Sequence, residues 1–222
     1  FTVKGHQLVT HLKKLKDVEI PLANFFASGV LALGNRLGPF CWQLPGNLSY
    51  SAERMEKFLS LLPQTLDALV ALAGKADDGL KSEPCLDATG IGSVRHAIEV
   101  RHPSFADPAF IAQLRRHNVA LVAADTADWP GFDQTADFAY LRLQGAPGAE
   151  RYTTTERERR GGWLADLAAG RALAGAPLIA PPEPAPPPRD VYAFFVSTDK
   201  ENAPANARAV MAQLGLKGPG EQ

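Results

Sequence analysis

Charged and polar side chains recur at alternate positions in two short apolar segments of the chain. Glu99 and Arg101 stand two residues apart in one segment, and Tyr140 and Arg142 stand two apart in the other. Because side chains alternate between the two faces of a strand, each pair shares a face and leaves an apolar face free to pack against helices. We therefore expect both pairs to lie on the face of a sheet that carries chemistry.

Three further polar residues, Lys4, Gln43 and Asp125, lie at the downstream ends of other apolar segments. In α/β barrels these carboxyl ends of the strands carry the active site. The seven residues include three cations and two carboxylates, so the predicted site is positive by about one charge. The planar fork of arginine suits bidentate capture of carboxylate or phosphate. This pattern predicts a pocket for a small anionic or phosphate-bearing ligand.

A purely structural interpretation is the alternative. Glu99 with Arg101, and Arg142 with Asp125, would then be ion pairs that only fill the interior of the sheet. Barrel interiors are ordinarily filled by Val, Ile and Leu, and buried charges without partners are costly. Seven polar residues at such positions therefore favour a ligand site over filling.

Two histidines are candidates for proton transfer near neutral pH. His102 follows one strand directly, and His11 follows the first visible strand, although a structural role is the alternative for each. Our candidate catalytic residues are Glu99, His102 and Asp125. Our candidate substrate-binding residues are Lys4, His11, Gln43, Arg101, Tyr140 and Arg142.

Other chemistries have weaker support. Glu99, His102 and Asp125 are ligand types for a divalent cation, but nearby arginines would oppose it and no spaced histidine pair is present, so we assign no metal. No G-x-S-x-G turn is present, and we interpret Ser104 as a turn or helix-entry residue. The sequence identifies no cofactor.

Composition limits the classes of partner. The 222 residues include 23 Lys and Arg against 24 Asp and Glu, so no overall field attracts nucleic acid or anionic lipid. Cys41 and Cys85 are too few for a disulfide scaffold or a zinc motif, and we expect free thiols. No apolar run approaches a membrane span and no signal peptide opens the chain. We expect a cytoplasmic protein whose partner is a small anionic molecule, and we leave its oligomeric state open.

The elements that must position these residues alternate along the chain. The strand candidates are Phe1–Gly5, Phe40–Leu44, Ala97–His102, Ala120–Thr126, Phe138–Leu143 and Val191–Thr198. Apolar residues at helical spacing lie between them, as in Met55, Phe58, Leu59 and Leu62, and again in Ala207, Val210, Met211 and Leu214. Asp107-Pro108 predicts a helix start, followed by a buried face of Phe110, Ile111 and Leu114.

This alternation predicts βα units around a parallel sheet. An open doubly wound sheet and a closed barrel both fit, but no glycine-rich dinucleotide loop follows the first strand. We interpret Pro177–Pro188, with seven prolines, as an extended surface segment, and Glu156–Arg160 as a solvated helix face. The chain opens at Phe1 without an initiator Met, in what reads as a strand already under way.

Several segments together resemble the YecE-like family, also catalogued as domain of unknown function 72. The residues that carry the resemblance are Phe1–Gly5 with Val9–His11, Leu37–Pro45, Arg95–Phe105, Asn118–Ala120, Asp125, Trp129-Pro130, Tyr140–Leu143 and Ala203–Ala207. The resemblance implies a (β/α)8 TIM-type barrel of which this chain carries strands three to eight, with two strands upstream. We expect one N-terminally incomplete barrel domain over residues 1–222, with its strands parallel and in sequence order.

The chain departs from the family at two positions. Members usually carry His after Arg-Leu in the seventh strand, where Gln144 stands here, and Asn near the end of the last strand, where Ser197 stands. The resemblance thus adds Gln144 to the substrate-binding candidates. Three hypotheses follow: an enzyme acting on a small anionic substrate, a non-catalytic binding module for a nucleotide or nucleic acid, and a barrel that has lost activity.

Overall fold

The computed structural model describes most of the chain. The described residues are 1–125, 131–145, 152–171, 173, 175–182, 188–196 and 202–218. They belong to two compact units, residues 1–119 and residues 120–222, and we describe each unit by itself. Both units combine parallel strands with helices, which confirms the α/β class.

The first unit contains a parallel sheet whose strands pair in sequence order. Its strands are β1 (Val3–Lys4), β2 (Phe40–Gln43) and β3 (His96–Glu99). Its α-helices are α1 (Glu19–Ala27), α2 (Ala52–Leu61), α3 (Leu66–Ala73) and α4 (Pro108–Arg116). A π-helix covers Leu8–Leu12, and 3₁₀-helices cover Val30–Arg36 and Pro103–Phe105.

Side-chain caps determine where three of these helices begin. The side chains of Ser51, Thr65 and Asp107 accept hydrogen bonds from backbone N–H groups in the first turns of α2, α3 and α4. Each cap satisfies a donor that the helix itself leaves unpaired. The predicted start of α4 at Asp107-Pro108 is confirmed, and its predicted apolar face is buried.

Aromatic packing joins the first sheet to its helices. Trp42 meets Phe25 of α1 edge to face at 5.4 Å between ring centroids, and meets Phe58 of α2 at 5.6 Å. Gln43, the next residue of β2, lies on the other face of the sheet, as strand alternation requires. Trp42 therefore packs between the sheet and the helices.

Gly5 is required by the close approach of the chain to Trp42. A Cβ at this position would overlap Cε3 and Cζ3 of the indole, and the Gly5 amide donates to the Cys41 carbonyl at 2.9 Å. The backbone at Gly5 therefore cannot move away from the indole without breaking its hydrogen bond to Cys41. We expect Gly5→Ala to lower the free energy of unfolding by about 2 kcal/mol or more, measured by urea denaturation. Gly46→Ala is the control, because a Cβ there has nothing within 4 Å; equal effects of the two changes would contradict this explanation.

The second unit has the same construction. Its parallel strands, again in sequence order, are β4 (Ala120–Ala124), β5 (Phe138–Leu143) and β6 (Asp190–Phe195), and its helices are α5 (Thr154–Ala168) and α6 (Ala203–Gln213). Thr153 and Glu156 form a capping box at the start of α5. Leu141, Leu143, Leu164, Leu167 and Val210 belong to its buried core.

Most predicted strands are present, with shifted ends. Phe138–Leu143 matches β5, but the predicted strand Ala97–His102 begins at His96 and ends at Glu99 because His102 caps the following 3₁₀-helix. In α6 the apolar residues at helical spacing are covered to different degrees: Val210 is buried, whereas Ala207 and Met211 are partly covered. Strand order within each unit is as predicted, and the complete eight-stranded barrel and the single domain remain predictions.

Some expectations fall wholly or partly outside the described residues. Thr126, Trp129-Pro130 and Ser197 lie there, as does the middle of the proline-rich segment. Cys41 and Cys85, both described, form no disulfide bond. Within the part of the chain that is described, no helix is both long and apolar enough to cross a membrane.

Candidate functional site

Four of the predicted site residues form one hydrogen-bonded row in the first unit. Lys4 lies at the end of β1 and donates through Nζ to Gln43 Oε1 at 2.6 Å. Gln43, at the end of β2, donates through Nε2 to Glu99 Oε1 at 2.7 Å, and the two residues are paired in the register of β2 and β3. Arg101 donates to the same Glu99 oxygen from Nε at 3.2 Å and from Nη2 at 3.0 Å.

The donor and acceptor roles along this row are fixed by chemistry. Lysine can only donate and a carboxylate can only accept, so the Gln43 amide has one orientation that satisfies both neighbours. Gln43 thereby joins an ammonium group to a buried carboxylate without being charged itself. Removing either neighbour would leave a buried amide group unpaired.

Burial divides the row into an inner and an outer part. The Glu99 side chain is 4% exposed, whereas the Arg101 side chain is 51% exposed. The buried Glu99 carboxylate therefore holds the Arg101 guanidinium in place, while much of the Arg101 side chain is exposed to solvent. Such a group, with Lys4 two strands away, can hold an anion that arrives from solvent.

His102 caps the 3₁₀-helix that follows it, which is a structural role of the kind considered from the sequence. Its Nδ1 accepts from the Ser104 backbone N–H at 3.2 Å and lies 2.7 Å from Ser104 Oγ, which itself accepts from the Tyr50 amide. Nδ1 is thus the acceptor and, in the neutral ring, Nε2 carries the proton. The backbone at His102 is extended, so its side chain and that of Arg101 point to opposite sides. The structure supports the interpretation of Ser104 as a helix-entry residue and does not join His102 to the row.

His11 lies in the π-helix that follows β1. Its Nδ1 is 2.8 Å from Thr10 Oγ1, and its side chain is partly buried. Among the described residues, none of the hydrogen bonds that form the row involves this ring. His11 therefore stays a substrate-binding prediction that rests on its place in the β1–α1 connection.

Asp125 is the centre of a separate network in the second unit. Its Oδ1 accepts from the backbone amides of Gln144 at 2.6 Å and Gly145 at 3.2 Å. Its Oδ2 accepts from the Tyr152 hydroxyl at 2.7 Å and from Arg160 at 2.9 and 3.0 Å. Burial, reinforced by this carboxylate, raises the pKa of Tyr152 above its usual value, so the hydroxyl keeps its proton and donates. Asp125 accepts five hydrogen bonds and thereby fixes the segment that follows β5.

Arg160 is the residue of this network that the sequence interpretation missed. We interpreted Glu156–Arg160 as a solvated face, but the Arg160 side chain is only 9% exposed and its guanidinium lies 4.6 Å from the Trp163 ring centroid. A signal was present, because Arg160, Trp163, Leu164 and Leu167 follow the spacing of one helix face. The Asp125 carboxylate forms an ion pair with Arg160, whereas the ion pair that we considered from the sequence joined Asp125 to Arg142.

Tyr140 and Arg142 share one face of β5, as strand alternation predicted. Tyr140 is buried and lies with its ring 5.0 Å from that of Phe194, on the neighbouring strand β6. Arg142 is paired in register with Ala124 of β4, and Gln144 follows β5 directly. The expectation that these residues converge with Lys4, Gln43, Glu99 and Arg101 remains a prediction.

Metal binding has no structural support among the described residues. Over those ranges, no three His, Cys, Asp or Glu side chains come together in a way that could hold an ion. Of the three ligand types considered from sequence, Glu99 and His102 lie in one unit and Asp125 in the other.

Comparison with known proteins gives a family and a fold. The family described as "Protein of unknown function DUF72" matches residues 1–221. The structure resembles a DUF72 family protein from Thermotoga maritima, with a TM-score of 0.65 and 22% identity over 97% of this chain and 73% of that one. It also resembles a DUF72 family protein from Enterococcus faecalis, with a TM-score of 0.56 and 15% identity over 91% of this chain and 68% of that one.

These likenesses extend over nearly the whole chain. At such low identity the two solved structures support the fold alone. The comparison with curated proteins gave no match. The family resemblance inferred from the sequence motifs is confirmed by the family match over residues 1–221, and the chain belongs to the DUF72 family of proteins of unknown function.

Proposed function

We propose that this chain is part of a barrel enzyme that acts on a small anionic or phosphorylated substrate at the carboxyl ends of β1, β2 and β3. The observation that carries the proposal is the hydrogen-bonded row from Lys4 through Gln43 and Glu99 to Arg101. Three consecutive parallel strands deliver these side chains to one edge, which is where α/β barrels bind their substrates.

Each residue of the row has a defined role in this proposal. Arg101 presents an exposed guanidinium that binds the anionic group, and Lys4 adds a second positive charge. Glu99 keeps the guanidinium in place and is the proton carrier closest to the bound anion. Gln43 is a positioning residue, since it acts through its two neighbours.

A binding protein without catalysis is the second candidate. The observation that favours it is that one oxygen of Glu99 already accepts three N–H hydrogen bonds, which reduces its freedom to exchange a proton with a substrate. Under this alternative the row holds the anion and Glu99 only positions Arg101.

Arg101→Lys distinguishes a ligand-binding arginine from a structural one. We expect inorganic phosphate, titrated into the full chain by calorimetry, to bind the variant roughly 10- to 150-fold more weakly, because one charge-assisted hydrogen bond contributes about 1.5–3 kcal/mol. Arg171→Lys is the matched control, since Arg171 is an exposed partner of Asp166 far along the chain. The control should bind phosphate as the unchanged chain does.

The opposite result is equally clear. Unchanged phosphate affinity with a lower melting temperature for Arg101→Lys would make Arg101 a structural ion-pair partner and end the proposal. Native mass spectrometry of the purified chain, which identifies any small anion retained, adds a readout that does not depend on the probe chosen. Glu99→Gln then separates the two candidates: lost turnover of a retained metabolite with binding kept indicates an enzyme.

A further inference from the structure

The connection between β1 and α1 is strongly basic. The first sixteen residues contain four lysines and two histidines, and no carboxylate. Lys13, Lys14 and Lys16 lie within four residues of one another, and none of the three has an ion pair or hydrogen bond from its side chain within the described ranges. In contrast, Lys57 pairs with Glu53 at 2.8 Å and Lys75 pairs with Glu19 at 2.7 Å.

The nearest acidic residues along the chain compensate this charge only in part. Glu19, the first residue of α1, is the partner of Lys75. Asp17 follows Lys16 directly and brings one negative charge to the turn. The three lysines therefore exceed the one adjacent carboxylate, and the turn keeps a net positive charge that a ligand could neutralise.

The backbone holds this segment in a fixed, strained shape. The π-helix closes with the Lys13 amide on the Leu8 carbonyl at 2.9 Å. Lys14, Leu15 and Asp17 then adopt left-handed φ values of 49°, 67° and 49°. Such conformations persist in non-glycine residues only where the surroundings impose them, and buried Leu15 is the anchor that does so here. Lys13, Lys14 and Lys16 thus lie on a turn of defined backbone conformation.

Connectivity places this turn beside the proposed site. The segment leaves the carboxyl end of β1, where Lys4 donates to Gln43, and it returns into α1. We propose that Lys13, Lys14 and Lys16 bind the further phosphates of a small molecule that carries a chain of phosphate groups, while Lys4 and Arg101 hold its reacting end. This inference rests on the proposed function of Lys4 and Arg101.

The test compares two probes and two double variants by calorimetry on the full chain. The probes are inorganic phosphate and a short linear polyphosphate. The variants are Lys13→Gln with Lys16→Gln, and the charge-matched control Lys81→Gln with Lys217→Gln, two exposed lysines elsewhere in the chain. We expect polyphosphate to bind more tightly than phosphate at low ionic strength, and the first variant to weaken polyphosphate on the order of 5- to 10-fold while leaving phosphate affinity and the melting temperature unchanged. The control should leave both affinities unchanged.

The outcomes separate this inference from the proposed function. If phosphate binding depends on Arg101 but polyphosphate binds no more tightly, or the loop variant behaves as the control does, the inference about the lysines is overturned and the proposed function stands. If the loop variant weakens polyphosphate but Arg101→Lys changes neither probe, the proposed function fails and the lysine site stands. A single-stranded oligonucleotide is the third probe. Its phosphates are more widely spaced than those of polyphosphate, so tighter binding of the oligonucleotide would overturn the assignment to a small molecule.

Discussion

Asp125→Asn should lower the free energy of unfolding by about 3–5 kcal/mol, measured by urea denaturation. The Asp125 side chain is 2% exposed and that of Arg160 is 9% exposed, so the substitution leaves a buried guanidinium without its counter-charge. In either orientation the new amide also presents its N–H to obligatory donors, either the two backbone amides or the guanidinium, and only the Tyr152 hydroxyl could turn to accept. No rotation of the introduced Asn side chain therefore provides an acceptor both for the two backbone amides and for the Arg160 guanidinium.

The matched control for this change is Asp166→Asn. Asp166 pairs with Arg171 at 2.8 Å, but their side chains are 32% and 59% exposed, so water replaces the lost partner and the expected cost is below about 1 kcal/mol. Similar losses for the two variants would show that burial does not set the strength of the Asp125–Arg160 pair. A variant that stays as stable as the unchanged chain would exclude the network as a structural anchor.

Strand alternation is the part of the site that sequence could predict. Once β2 and β3 were recognised, the period of two placed Gln43 and Glu99 on the face opposite Trp42, and the structure joins them at 2.7 Å. Both strands are fully buried, so a slip by one residue would have exchanged the polar and aromatic faces, which burial forbids. Local pattern and tertiary burial agree here, and for this reason the two side chains share a face as alternation predicted, while their role in binding a substrate stays a prediction.

Contacts between distant segments could not be predicted in the same way. Arg160 lies 35 residues after Asp125, on a helix, and nothing in the charge run around it identifies which arginine turns inward. Only the apolar spacing of Trp163, Leu164 and Leu167 shows that Arg160 shares the buried face. The cap made by His102 could not be predicted for a related reason: a histidine before proline fits both a catalytic base and a helix cap, and only the structure shows the hydrogen bond from the Ser104 amide. The catalytic role of His102 stays a prediction.

A second buried network predicts an acid-dependent loss of stability. His96 is completely buried between Trp42 and the Pro63 carbonyl: its Nδ1 accepts from the Trp42 indole N–H at 3.2 Å, so Nε2 carries the proton and donates to Pro63 at 2.8 Å. Burial lowers the pKa of His96 from 6.5 to about 4. A proton on Nδ1 would also face the indole N–H.

The direction of the pH effect follows from this lowered pKa. Below pH 6.5 the unfolded chain binds a proton at His96 that the folded chain does not bind until about pH 4, so the free energy of unfolding falls as the pH falls through this range. The loss should reach about 2 kcal/mol at pH 5 and about 3 kcal/mol in full. Urea denaturation at pH 7.5 and pH 5 measures it.

The comparison of two variants isolates His96 from the carboxylates that titrate at lower pH. His96→Gln removes the titrating ring, so this variant should be less stable at pH 7.5 but should lose about 2 kcal/mol less than the unchanged chain between pH 7.5 and pH 5. His6→Gln replaces an exposed histidine and should keep the full acid dependence of the unchanged chain. Equal pH dependence in His96→Gln and the unchanged chain would show that His96 takes up its proton equally in the folded and unfolded states, which its burial between Trp42 and Pro63 does not allow.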